Sequence, residues 1–134
     1  MKTSLLLSKI NYFIIAVLLF SSFTLTAQPK RELRSTWMTT AWNNDWPSQK
    51  GTTSTTQTAQ KNELIGYLNQ LKENNFNALY LQIRSMADAF YPSSYEPWSS
   101  YVSGTRGTSP GWDPLKFAIE ECHKRGMEFH AWIN

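Results

Sequence analysis

The residues best placed to do chemistry sit at the ends of two segments with strand-like alternation. In Phe76–Arg84, Tyr80, Gln82 and Arg84 share one face, and in Met127–Asn134, His130, Trp132 and Asn134 share another. Side chains of a strand alternate between its two faces, so each set projects to one side and ends at the C-terminal tip. Parallel α/β proteins build their sites at such tips, from strand ends and the loops that follow them. The loops here add carboxylates at Asp45, Asp88 and Glu96, and two indoles, Trp42 and Trp46, directly after the first strand. Groups of these types donate and accept hydrogen bonds and offer flat faces to sugar-like ligands.

Other chemistries lose ground on composition. The single cysteine, Cys122, lies inside a helical pattern and reads as a small buried apolar residue. No Cys/His spacing suggests zinc, and neither a metal nor a cofactor is expected. Two of the three net positive charges are Lys2 and Lys9, in the leader, and the rest are interspersed. That argues against nucleic acid as a partner. Apolar content of 41% with 17% charged residues suits a globular domain rather than a disordered one.

Residues 1–27 read as a secretory signal peptide, with Lys2 and Lys9 before the apolar run Tyr12–Phe20 and a cleavage region ending at Ala27. The run is shorter than the ~20 residues that a spanning helix needs, so no stable membrane span is expected after cleavage. Export follows as an expectation: secreted, periplasmic or at the cell envelope. Residues 28–134 then form the mature domain. Leu33–Thr40 reads as a first strand, and Ala41–Thr58 as a loop with a low-complexity polar run. A helix is expected over Thr58–Asn75, capped by Thr56 or Thr58, with Leu64, Ile65, Leu68 and Leu71 as its apolar stripe. Phe76–Arg84 is the second strand, with Leu79, Leu81 and Ile83 toward the helices. Ser85–Gly111 is longer than an ordinary connection and rich in aromatics. Asp113-Pro114 predicts a capped start for a helix over Leu115–Arg125, closed by Gly126. The third strand carries Phe129, Ala131 and Ile133 on its apolar face. Glu120 and Glu121 read as exposed helix residues, and Trp112 as packing against its own loop.

The order strand, helix, strand, helix, strand implies parallel strands with helices outside. An open doubly wound sheet and the opening of a (β/α)₈ barrel both fit. No Gly-x-Gly-x-x-Gly follows the first strand, which removes the dinucleotide argument.

The motifs themselves carry a likeness. Arg84-x3-Asp88-Ala-Phe-Tyr91, Pro97-Trp-Ser-x-Tyr101, Gly104-x2-Gly107, Pro110-Gly-Trp-Asp-Pro-Leu115, Glu120-Glu-Cys-His-Lys-Arg-Gly126 and His130-Ala-Trp-Ile-Asn134 together resemble glycosyl hydrolase-like family 10. Ser85-Met86 departs from the family pattern, which carries a Pro close by. The resemblance implies an α/β fold, with about three β/α units opening a (β/α)₈ TIM barrel that continues beyond Asn134. It implies a secreted or envelope-associated bacterial hydrolase that cleaves glycosidic bonds of envelope glycan, a peptidoglycan strand or another polysaccharide. The alternative on the same scaffold is a non-catalytic carbohydrate-binding protein.

Glycosidic hydrolysis normally needs two carboxyl groups, about 5–5.5 Å apart for retention and about 6.5–9.5 Å for inversion. Asp113 is better read as a helix cap, and Glu63, Glu73 and Glu128 as solvated, so Asp88 is the best local candidate. The main catalytic carboxylates are expected on later strands, which leaves this segment inactive alone. Its expected contribution is substrate binding by Arg84, Asp88, Tyr91, Trp98, His130, Trp132 and Asn134.

Overall fold

Three short segments, Ser35–Met38 (β1), Ala78–Arg84 (β2) and Glu128–Ile133 (β3), pair as a parallel sheet in the order β1-β2-β3. The computed structural model describes residues 32–134, so the expected signal peptide lies outside the described residues. One helix, Ser54–Glu73 (α1), links β1 to β2; a single turn, Ser100–Ser103 (α2), and a second long helix, Pro114–Lys124 (α3), link β2 to β3. The result is α/β with parallel strands, as the order of elements predicts.

The outward face of β2 anchors the core. Leu79, Leu81 and Ile83 are each at most 4% exposed and share one apolar cluster with Leu64 and Leu68 of α1 and Ala118 and Cys122 of α3. Burying each large aliphatic side chain contributes roughly 1.5–3 kcal/mol. Truncating Leu68 to Ala would cost about 2–5 kcal/mol, because the removed atoms leave a cavity.

Local chemistry sets the helix ends. α1 begins earlier than the periodicity suggests: the Thr53 hydroxyl, not Thr56 or Thr58, caps it by accepting the Thr56 N–H at 3.2 Å. The polar run thereby joins the helix, and Gln57 Nε2 donates to Pro110 O at 2.8 Å, fastening it to the loop before α3. Asn75 closes α1 in the left-handed region, with φ 61°. α3 starts as predicted, with Asp113 Oδ1 accepting the Lys116 N–H at 3.0 Å and Pro114 in the first turn. Gly126 ends it at φ +64°, where a side chain would be strained.

Several expectations need correction. Glu121 is not exposed: it is 7% accessible and held by Arg125 Nη1 at 2.8 Å and Lys124 Nζ at 2.5 Å. Trp46 is no ligand contact but a fully buried core residue, its Nε1–H donating to Gln60 O at 3.0 Å. Trp112 reaches beyond its own loop, donating to Gln60 Oε1 at 3.2 Å and packing edge-on against Trp46 and Phe117. On β3 only Phe129 packs on the core, while Ala131 is exposed and Ile133 is 58% exposed. The register shifts between Gln82 and Arg84, so that Ile83 is the extra residue on β2 and Arg84 pairs with Ile133.

Candidate functional site

The other face of the sheet is aromatic. Trp37, Tyr80 and His130 are register partners across β1, β2 and β3. Their rings stack in a row, Trp37 on Tyr80 at 4.8 Å and Tyr80 on His130 at 4.4 Å. Trp132, farther along β3, meets Trp37 edge-on at 5.1 Å. Alternation puts all these rings on one side, and parallel pairing puts every strand tip at the same edge.

At that edge Arg84 is the hub. Its guanidinium pairs with Glu96, from the long loop, through Nε and Nη2. Nη1 donates to Asn134 O at 2.6 Å, and Asn134 N–H donates back to Arg84 O at 3.1 Å. Hydrogen bonding to Glu96 raises the Arg84 pKa above its ordinary value, against the opposing effect of desolvation. Asn134 Oδ1 in turn accepts the indole N–H of Trp132 at 2.7 Å. One connected set, Glu96–Arg84–Asn134–Trp132, thus joins the loop, β2 and β3.

Gln82, one layer below Arg84, fixes the turn that leaves β1. Its Oε1 accepts the Thr39 hydroxyl at 2.6 Å and the N–H groups of Thr40 and Ala41 at 3.0 Å each, and the side chain is almost wholly buried. Asp45 completes this turn by accepting the Thr39 N–H at 2.7 Å.

The long loop is ordered by its own contacts. Asp88 Oδ1 accepts the Ser85 hydroxyl at 3.0 Å and the Met86 N–H at 2.9 Å, and the residue is 2% exposed. Burial alone would raise the Asp88 pKa, but hydrogen bonds from Ser99, Met86 and Ser85 outweigh it and hold the carboxyl below its ordinary value. Ala89 N–H donates to Pro97 O at 2.9 Å and Ser99 N–H to Ala89 O at 3.0 Å, doubling the loop back on itself. Arg106 closes it by donating to the carbonyls of Met86 and Ala87 at 3.2 and 2.7 Å.

Of the seven residues expected to bind substrate, the structure connects Arg84, Trp132 and Asn134 directly. Tyr91 and Trp98 are half-buried and pack on the core cluster. Asp88 sits at the base of the loop, and His130 lies deeper along β3, stacked on Tyr80 and 3.0 Å from Glu128 Oε2. Sequence reasoning put Gln82 on the site face of β2 without naming its partners, gave no role to Trp37 and left Glu96 without a partner. Glu96 carried a usable signal, an acidic residue in the loop after a strand-end arginine. Among the described residues, no group of three His, Cys, Asp or Glu could hold a metal ion. Nor is any described helix long and apolar enough to cross a membrane.

Known proteins are similar to this chain in sequence. The chain is 48% identical over 125 residues to glycosyl hydrolase YngK of Bacillus subtilis (strain 168), covering 93% of this chain and 23% of that protein. It is 34% identical over 113 residues to glycosyl hydrolase DigH of Escherichia coli (strain K12), covering 81% of this chain and 26% of the relative. The chain therefore spans about a quarter of the length of the curated relatives it matches. Residues 32–134 match the glycosyl hydrolase-like 10 family, and the chain belongs to that family.

Proposed function

We propose that this chain is the N-terminal part of an exported glycoside hydrolase acting on bacterial-envelope glycan, such as the peptidoglycan strand, or on a related polysaccharide. Residues 1–27 act as its signal peptide, and residues 28–134 supply the first three β/α units of a (β/α)₈ barrel. The observation that carries the reading is the linked set Glu96–Arg84–Asn134–Trp132 at the C-terminal edge of a parallel sheet, in a chain of a glycosyl hydrolase-like family. In barrel enzymes that edge holds the substrate.

The segment's part is binding and positioning. The Trp132 indole is amphipathic, and its N–H is already oriented by Asn134, so its face is presented to a pyranose. Asp88 is ionised and enclosed, so it organises the loop instead of giving a proton; a general acid at neutral pH needs a raised pKa. Asp45 and Glu96 are likewise engaged, by Thr39 N–H and Arg84. The acid and its partner carboxylate therefore come from strands other than β1–β3. This same engagement of the local carboxylates favours a second reading, a carbohydrate-binding protein without turnover.

Affinity electrophoresis of the full-length protein in gels containing soluble peptidoglycan glycan strands tests the binding role. Wild-type protein is expected to be retarded, and Trp132→Ala to lose about tenfold in affinity. Equal mobility of both, with and without glycan, would remove Trp132 and this edge from the account.

A further inference from the structure

Trp42 is the most exposed tryptophan among the described residues. It follows β1 at the C-terminal edge, in a one-turn 3₁₀ helix, Ala41–Asn43, and is 75% exposed. Its backbone lies in the left-handed region, φ 55° and ψ 15°, and Asn43 follows at φ 54°. Asparagine tolerates that region; a bulky residue occupies it only when its surroundings impose it.

The surroundings do so from both sides. Ahead of Trp42, the Ala41 N–H is held by Gln82 Oε1 at 3.0 Å. Behind it, Asn43 Nδ2 donates to Pro47 O and to Tyr101 O at 2.7 Å each, and Asn43 N–H donates to Thr40 O at 3.1 Å. The turn is thus fixed by its neighbours, while the Trp42 ring makes no ring–ring contact with any described residue. Strain maintained around an unpacked indole points to a use outside the chain itself.

We infer that Trp42 is a second aromatic subsite for glycan, stacking on a pyranose ring at the β1 end of the sheet edge whose β3 end carries Trp132. The inference rests on the glycoside hydrolase reading and extends it. Placement supports it: Gln82 ties the Trp42 turn directly to β2, two residues before Arg84. So does the sequence around the ring: Asn43 and the exposed Asn44 follow Trp42 directly, and an indole beside amides suits a ligand with an apolar face and a hydroxyl rim. A chain of sugar rings, unlike a monosaccharide, has rings enough to occupy both Trp42 and Trp132.

The test uses the full-length protein, soluble peptidoglycan glycan strands in affinity gels, thermal unfolding and sedimentation velocity. Trp42→Ala is expected to bind about tenfold more weakly, and Trp42→Phe to stay within about threefold of wild type. Trp42→Gly separates binding from packing: glycine suits the left-handed backbone, so its Tm rises although it binds as weakly as Trp42→Ala. Retention of Trp42→Ala within about twofold of a retained wild type would overturn the inference. So would a fall in Tm for Trp42→Gly, which assigns the ring to packing, or a smaller sedimentation coefficient for Trp42→Ala, which assigns it to a contact between copies. If wild-type protein itself is not retained, the glycan reading fails and this inference fails with it.

Discussion

Thr40, in the turn after β1, is tied to Gln82 of β2: the Thr40 N–H donates to Gln82 Oε1 at 3.0 Å, and the Thr40 hydroxyl donates to Gln82 O at 3.0 Å. Both residues are almost wholly buried, so the strand carrying Arg84 and the turn carrying Trp42 form one rigid edge. The first prediction follows from what removal would strand. Gln82→Leu keeps the volume but leaves the N–H groups of Thr40 and Ala41 buried without an acceptor. It should destabilise the protein by about 2–4 kcal/mol, measured as a lower urea midpoint at constant m. A loss below about 0.5 kcal/mol would show that the amide does not hold the turn.

Arg84 meets Glu96 and Asn134 O at once because a guanidinium is a planar fork. A lysine ammonium is a single point of charge and cannot reproduce that span. Arg84→Lys should therefore weaken glycan retention nearly as much as Arg84→Ala, about tenfold in each case. Rescue to wild-type affinity by lysine would mean that only the positive charge matters.

Glu121 makes stability depend on acid. Hydrogen bonds from Lys124 and Arg125 outweigh burial and hold its carboxyl below the ordinary glutamate value of 4.5. The folded form therefore binds the proton less readily than the unfolded chain. The stabilisation is fully present above that ordinary value and is lost as pH falls through the depressed folded value. Thermal melts of wild type and Glu121→Gln should differ at pH 7 and converge as the pH falls below 4.5 and the wild-type carboxyl takes up its proton. A gap that is constant over this range would assign the effect to packing.

Cys122 is fully buried, and desolvation pushes its thiol up to about 12. Since the thiolate is the reacting form, iodoacetamide at pH 8 should leave native protein unmodified and label it once urea unfolds it. Rapid labelling of native protein, followed by mass spectrometry, would contradict the burial.

Local rules made much of this fold legible. The Asp113-Pro114 cap, the Gly126 stop and the alternation of Leu79, Leu81 and Ile83 each act within a few residues, and each is found where the sequence puts it. Contacts between distant segments were not legible. Glu121 looked like a solvated helix residue: its partners Lys124 and Arg125 lie within one turn, but its burial depends on α1 packing beside α3, where Arg125 Nε donates to Asn69 Oδ1 at 2.8 Å. Trp46 and Trp42 stand four residues apart in one loop, yet one is fully buried and the other 75% exposed, a division set by Gln60 and the core rather than by either indole. Ala131 and Ile133 are exposed because β3 is the edge strand of the described sheet, which alternation alone does not show. At the site, Arg84, Trp132 and Asn134 were readable from strand phase, while their connection through Glu96 depended on how the long loop folds back.

The central claim, that this edge belongs to a glycoside hydrolase, is tested most directly by reducing-end release. Full-length protein is incubated with soluble peptidoglycan glycan strands, and new reducing ends are counted against time, with Trp132→Ala in parallel. The account predicts steady release by wild type and a higher KM, with little change in kcat, for Trp132→Ala. Retention of the strands without any new reducing ends would contradict hydrolysis and leave a carbohydrate-binding protein.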